Sequence, residues 1–144
     1  MNNEITKQKI LEFLHQNDLG VISTIHVGKS APESALVGFG ATENLELVFG
    51  TYASTRKYKN LQSNPVVAFV TGFSGATGTL QYEGVAHELS REEQDPYIAL
   101  LVKKNVDHQR FANNPEQRYF LVKPTWIRLY ISPSESQQVW ELEF

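Results

Sequence analysis

The 144-residue sequence contains no cysteine, which excludes disulfide bonds, thiol nucleophiles, thiolate-bound zinc and iron–sulfur clusters. Long apolar runs are missing as well, since no stretch approaches the roughly 18 residues of a membrane span. Residues 1–17 carry charges throughout, whereas a signal peptide has an apolar core. We therefore expect a soluble, cytoplasmic protein that does not associate with membranes.

An excess of charge of one sign is also absent. The formal net charge is −3 and the isoelectric point is near 5.8, so the chain as a whole does not attract nucleic acid. Hydrophobic residues make up 41% of the sequence and charged residues 20%, the profile of a globular domain that buries its own core. We find no repeat, linker or low-complexity segment. We expect one domain over residues 1–144, in which any anion site is local.

Known catalytic and metal-binding motifs are missing too. The four histidines lack the His-x-His or His-x-x-x-His spacing of metal ligands and stand at His15, His26, His87 and His108. Residues 72–76 miss the serine-hydrolase motif G-x-S-x-G at its last position. Residues 38–43 begin like a dinucleotide-binding fingerprint, but Glu43 replaces its third glycine. No motif therefore identifies a metal site or a catalytic residue.

The hydrophobic pattern predicts a helix over residues 3–16, with Asn3 as a possible N-cap, followed mainly by strands. The predicted strands cover residues 20–27, 32–39, 45–50, 66–70, 79–87, 119–131 and a short 139–144. Further helices are expected over residues 54–61 and from Ser90 or Asp95 to about residue 104, and a loop over 72–78. Residues 66–70 are expected to be buried on both faces. Pro124 indicates an edge or a bulge. The order indicates a mainly β, α+β fold built on an antiparallel barrel of about six strands.

One segment has an unusual charge distribution. Between Glu46 and Glu83 there is no aspartate or glutamate, whereas Arg56, Lys57 and Lys59 all fall there. The segment carries +3, so the rest of the chain, at −3 overall, sums to −6. The three cations lie at the start of the helix predicted over residues 54–61, where the helix dipole disfavours positive charge.

A helix start with hydroxyl groups and cations is a common way to hold a phosphate, because its first N–H groups are free. This segment adds three hydroxyl groups, those of Thr51, Ser54 and Thr55. The residues therefore favour an anion site. The alternative is that the cations are solvated charges on a surface helix.

The same residues resemble a known family. FGTYASTRK at residues 49–57, NL at 60–61 and NPVVA at 64–68 resemble the F-[YG]-T-x-x-x-S-R-K…L…N-P-x-V-x motif of the pyridoxamine 5′-phosphate oxidase-like, FMN-binding split-barrel family. The similarity runs from about Pro32 to Leu89, and residues 119–131 resemble the small general-stress-protein branch. The resemblance implies a six-stranded split β-barrel homodimer with FMN at the subunit interface.

The resemblance also implies where FMN is bound. The family's phosphate-binding positions match Thr55, Arg56 and Lys57, and Thr51 matches another cofactor contact. The backbone of one strand would run beside the flavin ring, Gln81 could replace a glutamine contact, and a tryptophan could reach the ring. The implied FMN contacts are Ala35, Leu36, Val37, Thr51, Thr55, Arg56, Lys57, Gln81 and Trp126. Trp140 is an alternative to Trp126.

The departures from the family are also informative. Ala35 stands where the oxidase has arginine, Gly40 where it has lysine and Thr79 where it has glutamine, and nothing after Leu89 matches its S-R-P-x-x-S-Q segment. We therefore expect an FMN-dependent oxidoreductase acting on an unidentified small molecule, and not a true pyridoxamine 5′-phosphate oxidase. The alternatives are a split barrel that binds F420 or haem, or a flavin-binding stress or sensor protein without turnover. His87 is the one histidine predicted on a strand near the site. It is a candidate acid or base, and the alternative is that it is an ordinary strand residue.

Apolar residues crowd both faces of the strand predicted over 119–131, and Trp140, Leu142 and Phe144 form a further apolar edge. One face would pack inside the barrel. The other must be covered by a helix or by a second molecule, because large exposed apolar patches mark partner surfaces. We expect a homodimer.

Overall fold

The computed structural model describes residues 2–72, 78–105, 108–132 and 137–144, except for the side chain of Arg110. Within these ranges the chain forms four helices and eight strands. The helices are α1 (Asn3–Gln16), α2 (Arg56–Ser63), α3 (Asp95–Lys104) and α4 (Gln109–Ala112). The strands are β1 (Leu19–His26), β2 (Ala31–Gly38), β3 (Gly40–Ala41), β4 (Leu47–Tyr52), β5 (Val66–Thr71), β6 (Gly78–Glu88), β7 (Gln117–Ile131) and β8 (Gln138–Glu143). None of the described helices is long and apolar enough to cross a membrane.

All described strand pairs are antiparallel and belong to one sheet in the order β2-β1-β5-β6-β7-β4-β3, with β8 also paired to β7. The sheet curls into a half-barrel, which confirms the predicted mainly β split-barrel class. The described strands number eight instead of six, because β3 is a two-residue strand and β8 adds to the edge. Strand β7 carries β6 along one edge and β4, then β8, along the other.

Aromatic side chains fill the inside of the half-barrel. The rings of Phe49 and Phe120 stack with centroids 5.6 Å apart, and Phe39 meets Phe69 edge-on at 4.9 Å. The buried Tyr82 hydroxyl lies within hydrogen-bond distance of two backbone oxygens, 2.8 Å from that of Leu45 and 3.1 Å from that of Val122. These interactions satisfy its polar group inside the core.

A second apolar cluster lies on the outer face of β4 and β7, beneath α3. Its buried members are Val48, Leu89, Leu101, Tyr119 and Leu121. The first half of β7 is therefore buried on both faces within one chain, since Phe120 and Val122 pack inside the barrel. A helix covers the second face here, one of the two possibilities that the sequence left open.

The bulge expected at Pro124 is confirmed. Gly84 pairs with Pro124 and Glu83 with Trp126, so Thr125 has no partner in the ladder between β6 and β7. Proline has no backbone N–H to donate to a ladder, which explains its place at the irregularity. A Cβ atom at Gly84 would lie 2.5 Å from the Lys123 oxygen, so glycine is needed where the strands come this close.

The prediction that residues 66–70 are buried on both faces is wrong. Along β5, Val67 and Phe69 are buried, whereas Val66 and Ala68 are exposed. The outer face of this strand has no cover in the described part of the chain. At the C-terminus Trp140 and Leu142 pack on the core, but Phe144 is exposed.

The structure settles two helix starts. Asn2, and not Asn3, caps α1, accepting from the Glu4 N–H at 2.9 Å. Of the two starts that the sequence offered for α3, the helix begins at Asp95, behind Gln94, whereas Ser90 and Glu93 bond each other reciprocally in a turn. Helix α4 lies in a polar segment without an apolar pattern. Most of the loop predicted over 72–78 falls outside the described residues.

Candidate anion-binding site

The start of α2 is organised around the Thr55 hydroxyl. It donates to the backbone oxygen of Tyr52 at 2.9 Å and accepts from the Tyr58 N–H at 3.3 Å. It also lies 2.8 Å from the Thr51 hydroxyl. Thr55 is thereby the N-cap, so α2 begins at Arg56 and ends at Ser63, two residues later at each end than predicted. The backbone N–H groups of Arg56 and Lys57 lie in the first turn and have no intrahelical acceptor.

A cleft of about 240 Å³ opens beside this helix start, at the end of β4. Its lining comprises Gly50, Thr51, Tyr52, Thr55, Lys57, His108, Phe111 and Gln117. Three of the predicted contacts, Thr51, Thr55 and Lys57, thus share one cleft, and the described residues that line it include no carboxylate. Burial lowers the pKa of the Lys57 ammonium, because the charged form loses solvation there. An anion in the cleft would restore a favourable environment for that charge.

Arg56 points elsewhere. Its Nη1 atom lies 2.8 Å from Oε2 of Glu33 on β2, with the arginine side chain 72% exposed and the glutamate side chain 12% exposed. Asn60 Nδ2 donates to Oε1 of the same carboxylate at 2.8 Å and to the Thr24 hydroxyl at 3.0 Å. The hydrogen bond from Asn60 and then the charge of Arg56 lower the pKa of Glu33. The start of α2 is therefore tied to β2.

The predicted ring-binding residues Ala35, Leu36 and Val37 all lie on β2, an edge strand of the described sheet. Val37 is buried and Leu36 is 61% exposed, so the strand alternates between faces. The outer edge of β2 has no strand partner in the described ranges, which leaves backbone N–H and C=O groups available to a ligand. Ala35 shares its face with Glu33, the partner of Arg56.

Gln81 and Trp126 lie away from the cleft. Gln81 is exposed on the outer face of the sheet, on the same side of β6 as Thr79, as expected from their spacing. The Trp126 indole N–H donates to Glu141 at 2.8 Å. Thr51 pairs with Arg118 on β7, and Trp126 stands about 26 Å further along that strand at 3.3 Å per residue. One chain does not bring these two residues to the cleft.

The sequence analysis missed part of the cleft wall. His108 and Phe111 come from the polar segment that contains α4, and His108 Nε2 lies 2.9 Å from the Tyr119 hydroxyl. This segment has no apolar periodicity that would place it. The only sequence feature that could have drawn attention to it is the histidine itself.

A larger cleft, of about 680 Å³, lies between the end of α1, β3 and α3. Lys104 lines it and donates to the backbone oxygens of Leu14 and Asn17, at 2.6 and 2.5 Å. The Lys104 Nζ atom also lies 3.8 Å from the centroid of the Phe39 ring. The lysine joins α1 to α3, and none of the predicted site residues lines this cleft.

Comparison with known proteins gives one family match at the sequence level. Residues 6–130 match the family model for pyridoxamine 5′-phosphate oxidase, which is most of the chain. No curated protein matches the sequence.

Solved structures share the fold at low sequence identity. General Stress Protein 26 from Bacillus anthracis str. Sterne is 22% identical, with a TM-score of 0.71 over 96% of this chain and 98% of that one. A pyridoxamine 5′-phosphate oxidase-related, FMN-binding protein from Nostoc punctiforme PCC 73102 is 13% identical, with a TM-score of 0.69 over 98% and 87%. A heme-binding protein from Mycobacterium smegmatis is 12% identical, with a TM-score of 0.75 over 96% of this chain and 58% of that one. At these identities the likeness shows the fold alone.

Proposed function

The chain belongs to the pyridoxamine 5′-phosphate oxidase family, and from this premise we propose that it is an FMN-binding flavoprotein and an oxidoreductase acting on a small molecule. The observation that carries the proposal is the cleft at the start of α2, which brings together Thr51, Thr55 and Lys57. Thr55 and Lys57 match the family's phosphate-binding positions, Thr51 matches another cofactor contact, and the cleft's donors suit a phosphate ester.

The donor set fits the phosphate end of FMN. The Lys57 ammonium and the Thr51 hydroxyl lie at the cleft beside the free first-turn N–H groups of α2, and the described lining residues include no carboxylate. In the ligand-free arrangement the Thr51 hydroxyl lies against that of Thr55, so it must turn to donate to the phosphate. A drug-sized ligand fills roughly 300–1,000 Å³. The cleft is smaller, so it takes the phosphate end and leaves the ring outside.

The edge of β2 is the surface that we assign to the flavin ring. Its unpaired backbone groups would hydrogen-bond the ring, and the Arg56–Glu33 ion pair stands between this edge and the cleft. When bound, FMN would supply the electron-transfer chemistry. The chain itself holds the phosphate, orients the ring along β2 and covers the cleft with Tyr52 and Phe111.

We also propose a homodimer, because the outer face of the sheet carries exposed apolar residues. Leu36 pairs with Val21, and Val21 with Val70, so three apolar side chains run side by side across β2, β1 and β5. Val66 and Val85, paired on β5 and β6, extend this strip. Solvent-exposed apolar strips of this kind favour a partner, and a two-fold axis lets the same surface bury itself.

The dimer would complete the flavin site. Gln81 and Trp126 lie on the same outer face as the apolar strip, so a second copy packed there carries its own Gln81 and Trp126 into the interface. The proposal that they contact FMN therefore depends on the second copy, because they lie far from the cleft of their own chain.

Haem is the second candidate ligand, favoured by one observation. His108 projects into the cleft and could supply an axial nitrogen, whereas His15 and His87 are exposed on surfaces away from it. A structural neighbour from Mycobacterium smegmatis binds heme. The ultraviolet–visible spectrum of the purified protein distinguishes the two, because flavin and haem absorb at different wavelengths.

The test of FMN binding is a titration of cofactor-free protein with FMN and with riboflavin, followed by flavin fluorescence. We expect FMN to bind far more tightly, since each charge-assisted hydrogen bond to phosphate contributes about 1.5–3 kcal/mol. Equal affinities would overturn the phosphate assignment. Turnover is tested separately by anaerobic addition of NADH or NADPH to the FMN-loaded protein. Bleaching of the flavin supports an oxidoreductase, and an unchanged spectrum with every donor tried supports a binding protein.

A further inference from the structure

The cleft at the start of α2 contains a histidine that neither the family motif nor the charge pattern identifies. His108 lies 53 positions after Thr55 in the chain, yet both line the same 240 Å³ cleft. The position of His108 therefore makes it part of the same binding surface.

The imidazole is held in a defined orientation. Its Nε2 atom lies 2.9 Å from the Tyr119 hydroxyl, and the two rings meet edge-on with centroids 5.6 Å apart. Burial raises the pKa of Tyr119 to about 12, so this hydroxyl stays protonated wherever histidine titrates. The Tyr119 contact thus holds Nε2, whereas no hydrogen bond from a described residue to the other ring nitrogen, Nδ1, is found.

Gly50 makes room for this arrangement. A Cβ atom at Gly50 would lie 3.3 Å from the His108 ring, 3.1 Å from the Tyr119 ring and 2.3 Å from Gln117 Nε2. The absence of a side chain at this position of β4 thus leaves room for Gln117 and for the His108–Tyr119 pair against the strand.

The surroundings of His108 disfavour its charged form. Burial lowers the pKa of His108 below its usual 6.5. Among the described residues, the other titratable groups around it are Lys57 on α2, Tyr52 on β4 and Tyr119 on β7. Arg118 is directed toward Glu88 on the opposite face of β7, with 3.6 Å between Nε and Oε1. The described groups that line the cleft with His108 are therefore cationic or neutral.

On the basis of the proposed function, we infer that His108 is a phosphate-binding residue that takes up a proton when FMN binds. A dianionic phosphate beside the ring favours the imidazolium, whose Nε2–H donates to Tyr119 and whose Nδ1–H donates to the ligand. Protonation adds a second cation to a cleft that Lys57 already lines. The site thereby selects a doubly charged phosphate ester over a neutral flavin, and its affinity falls as the pH rises through the pKa of the bound-state histidine.

Calorimetric titration with FMN at pH 7, in buffers of different ionisation enthalpy, measures the protons taken up on binding. The unmodified protein is expected to take up a substantial fraction of a proton. H108Q is expected to lose this uptake and to bind FMN about tenfold or more weakly, the effect of one charge-assisted hydrogen bond. Its affinity for riboflavin should not change. The matched control is H87Q, at an exposed histidine on the outer face of β6, which should behave like the unmodified protein.

The outcomes separate this inference from the proposed function. If the unmodified protein binds no FMN, both are wrong. If it binds FMN and H108Q retains both the affinity and the proton uptake, only the inference about His108 is wrong. If H108Q does not fold, NMR titration of the His108 imidazole in the unmodified protein decides the matter. The inference requires its pKa to rise when FMN is added, and an unchanged value overturns it.

Discussion

The guanidinium of Arg56 and the carboxylate of Glu33 form an ion pair of 2.8 Å across the gap between α2 and the edge strand β2. In the family this arginine position binds the FMN phosphate, whereas here a partly buried glutamate already holds it. Asn60 holds the other carboxylate oxygen, so Glu33 is fixed from two sides. If FMN binds through Arg56, as the resemblance implies, its phosphate would compete with an anion that belongs to the protein.

Replacing Glu33 tests this competition. We expect Glu33→Gln to increase FMN affinity severalfold, because Arg56 is released while the amide can still bond Asn60. Riboflavin affinity should stay the same. Fluorescence titration with both flavins gives the result, with Glu43→Gln, at an exposed turn position, as the control. An unchanged FMN affinity would show that Arg56 does not reach the phosphate.

Lys57 and Lys59 form a matched pair within one helix. Lys57 lines the cleft, whereas Lys59 is exposed outside it. Lys57→Gln should weaken FMN binding by about 1.5–3 kcal/mol, the contribution of a charge-assisted hydrogen bond, while Lys59→Gln should have little effect. The melting temperature of cofactor-free Lys57→Gln should be unchanged or higher, because a cation at a helix start is unfavourable. Equal affinities for the two variants would contradict the site.

The N-cap at Thr55 links stability to binding. Thr55→Ala removes the hydroxyl that accepts from the Tyr58 N–H and should lower the free energy of unfolding by about 1 kcal/mol. It should also weaken FMN binding, because Thr55 lines the cleft and its hydroxyl fixes the start of α2 beside it. Urea denaturation measures the first effect and fluorescence titration the second. Ser54→Ala, at an exposed neighbouring hydroxyl, is the control and should change neither quantity.

The partly buried ammonium of Lys104 should make the free energy of unfolding depend on pH. Burial lowers its pKa to about 8 from the ordinary 10.5, with the nearby Asp18 charge opposing the shift. Between these values the unfolded chain binds more protons than the folded one, so the contribution of Lys104 to stability rises with pH. Below pH 8 Lys104 is charged in both the folded and the unfolded state, so folding bears the full cost of burying the charge. The hydrogen bonds to the two backbone oxygens offset part of this cost.

The difference in unfolding free energy between the unmodified protein and Lys104→Met isolates this contribution. Urea denaturation should show that the unmodified protein gains stability relative to Lys104→Met as the pH rises from 8 to 10. Lys103→Met, at the exposed neighbouring lysine, should show no such change. A constant difference for Lys104→Met across this range would rule out the buried-charge account.

The proposed dimer depends on the outer strip of the sheet. Leu36→Asp should convert a dimer into a 16.3 kDa monomer, because it places a charge in the apolar strip. Light scattering after size-exclusion chromatography measures the mass. Val27→Asp, at an equally exposed apolar residue in the β1–β2 turn, should leave the dimer intact. A monomeric unmodified protein that still binds FMN would contradict a shared site.

Local sequence patterns predicted much of the fold. The amphipathic pattern of α1, the alternation of β1 and β6 and the proline at the β7 bulge are all properties of neighbouring residues, so they can be read without knowing the fold. The prediction for β5 failed because burial depends on what covers a face. A run of valine and phenylalanine does not reveal that the outer side of the strand lacks a cover within the described chain.

For the candidate site, the sequence by itself determined the helix start: an acid-free segment with Thr51, Thr55, Arg56 and Lys57 within seven residues. These groups converge because they share one strand end and one helix turn. Only the tertiary structure decided which of them face the cleft and what opposes them. It turned Arg56 to Glu33, 23 positions earlier, and brought His108 into the lining of the cleft. Such pairings arise from the packing of distant elements, and neither composition nor periodicity encodes which distant residues will meet.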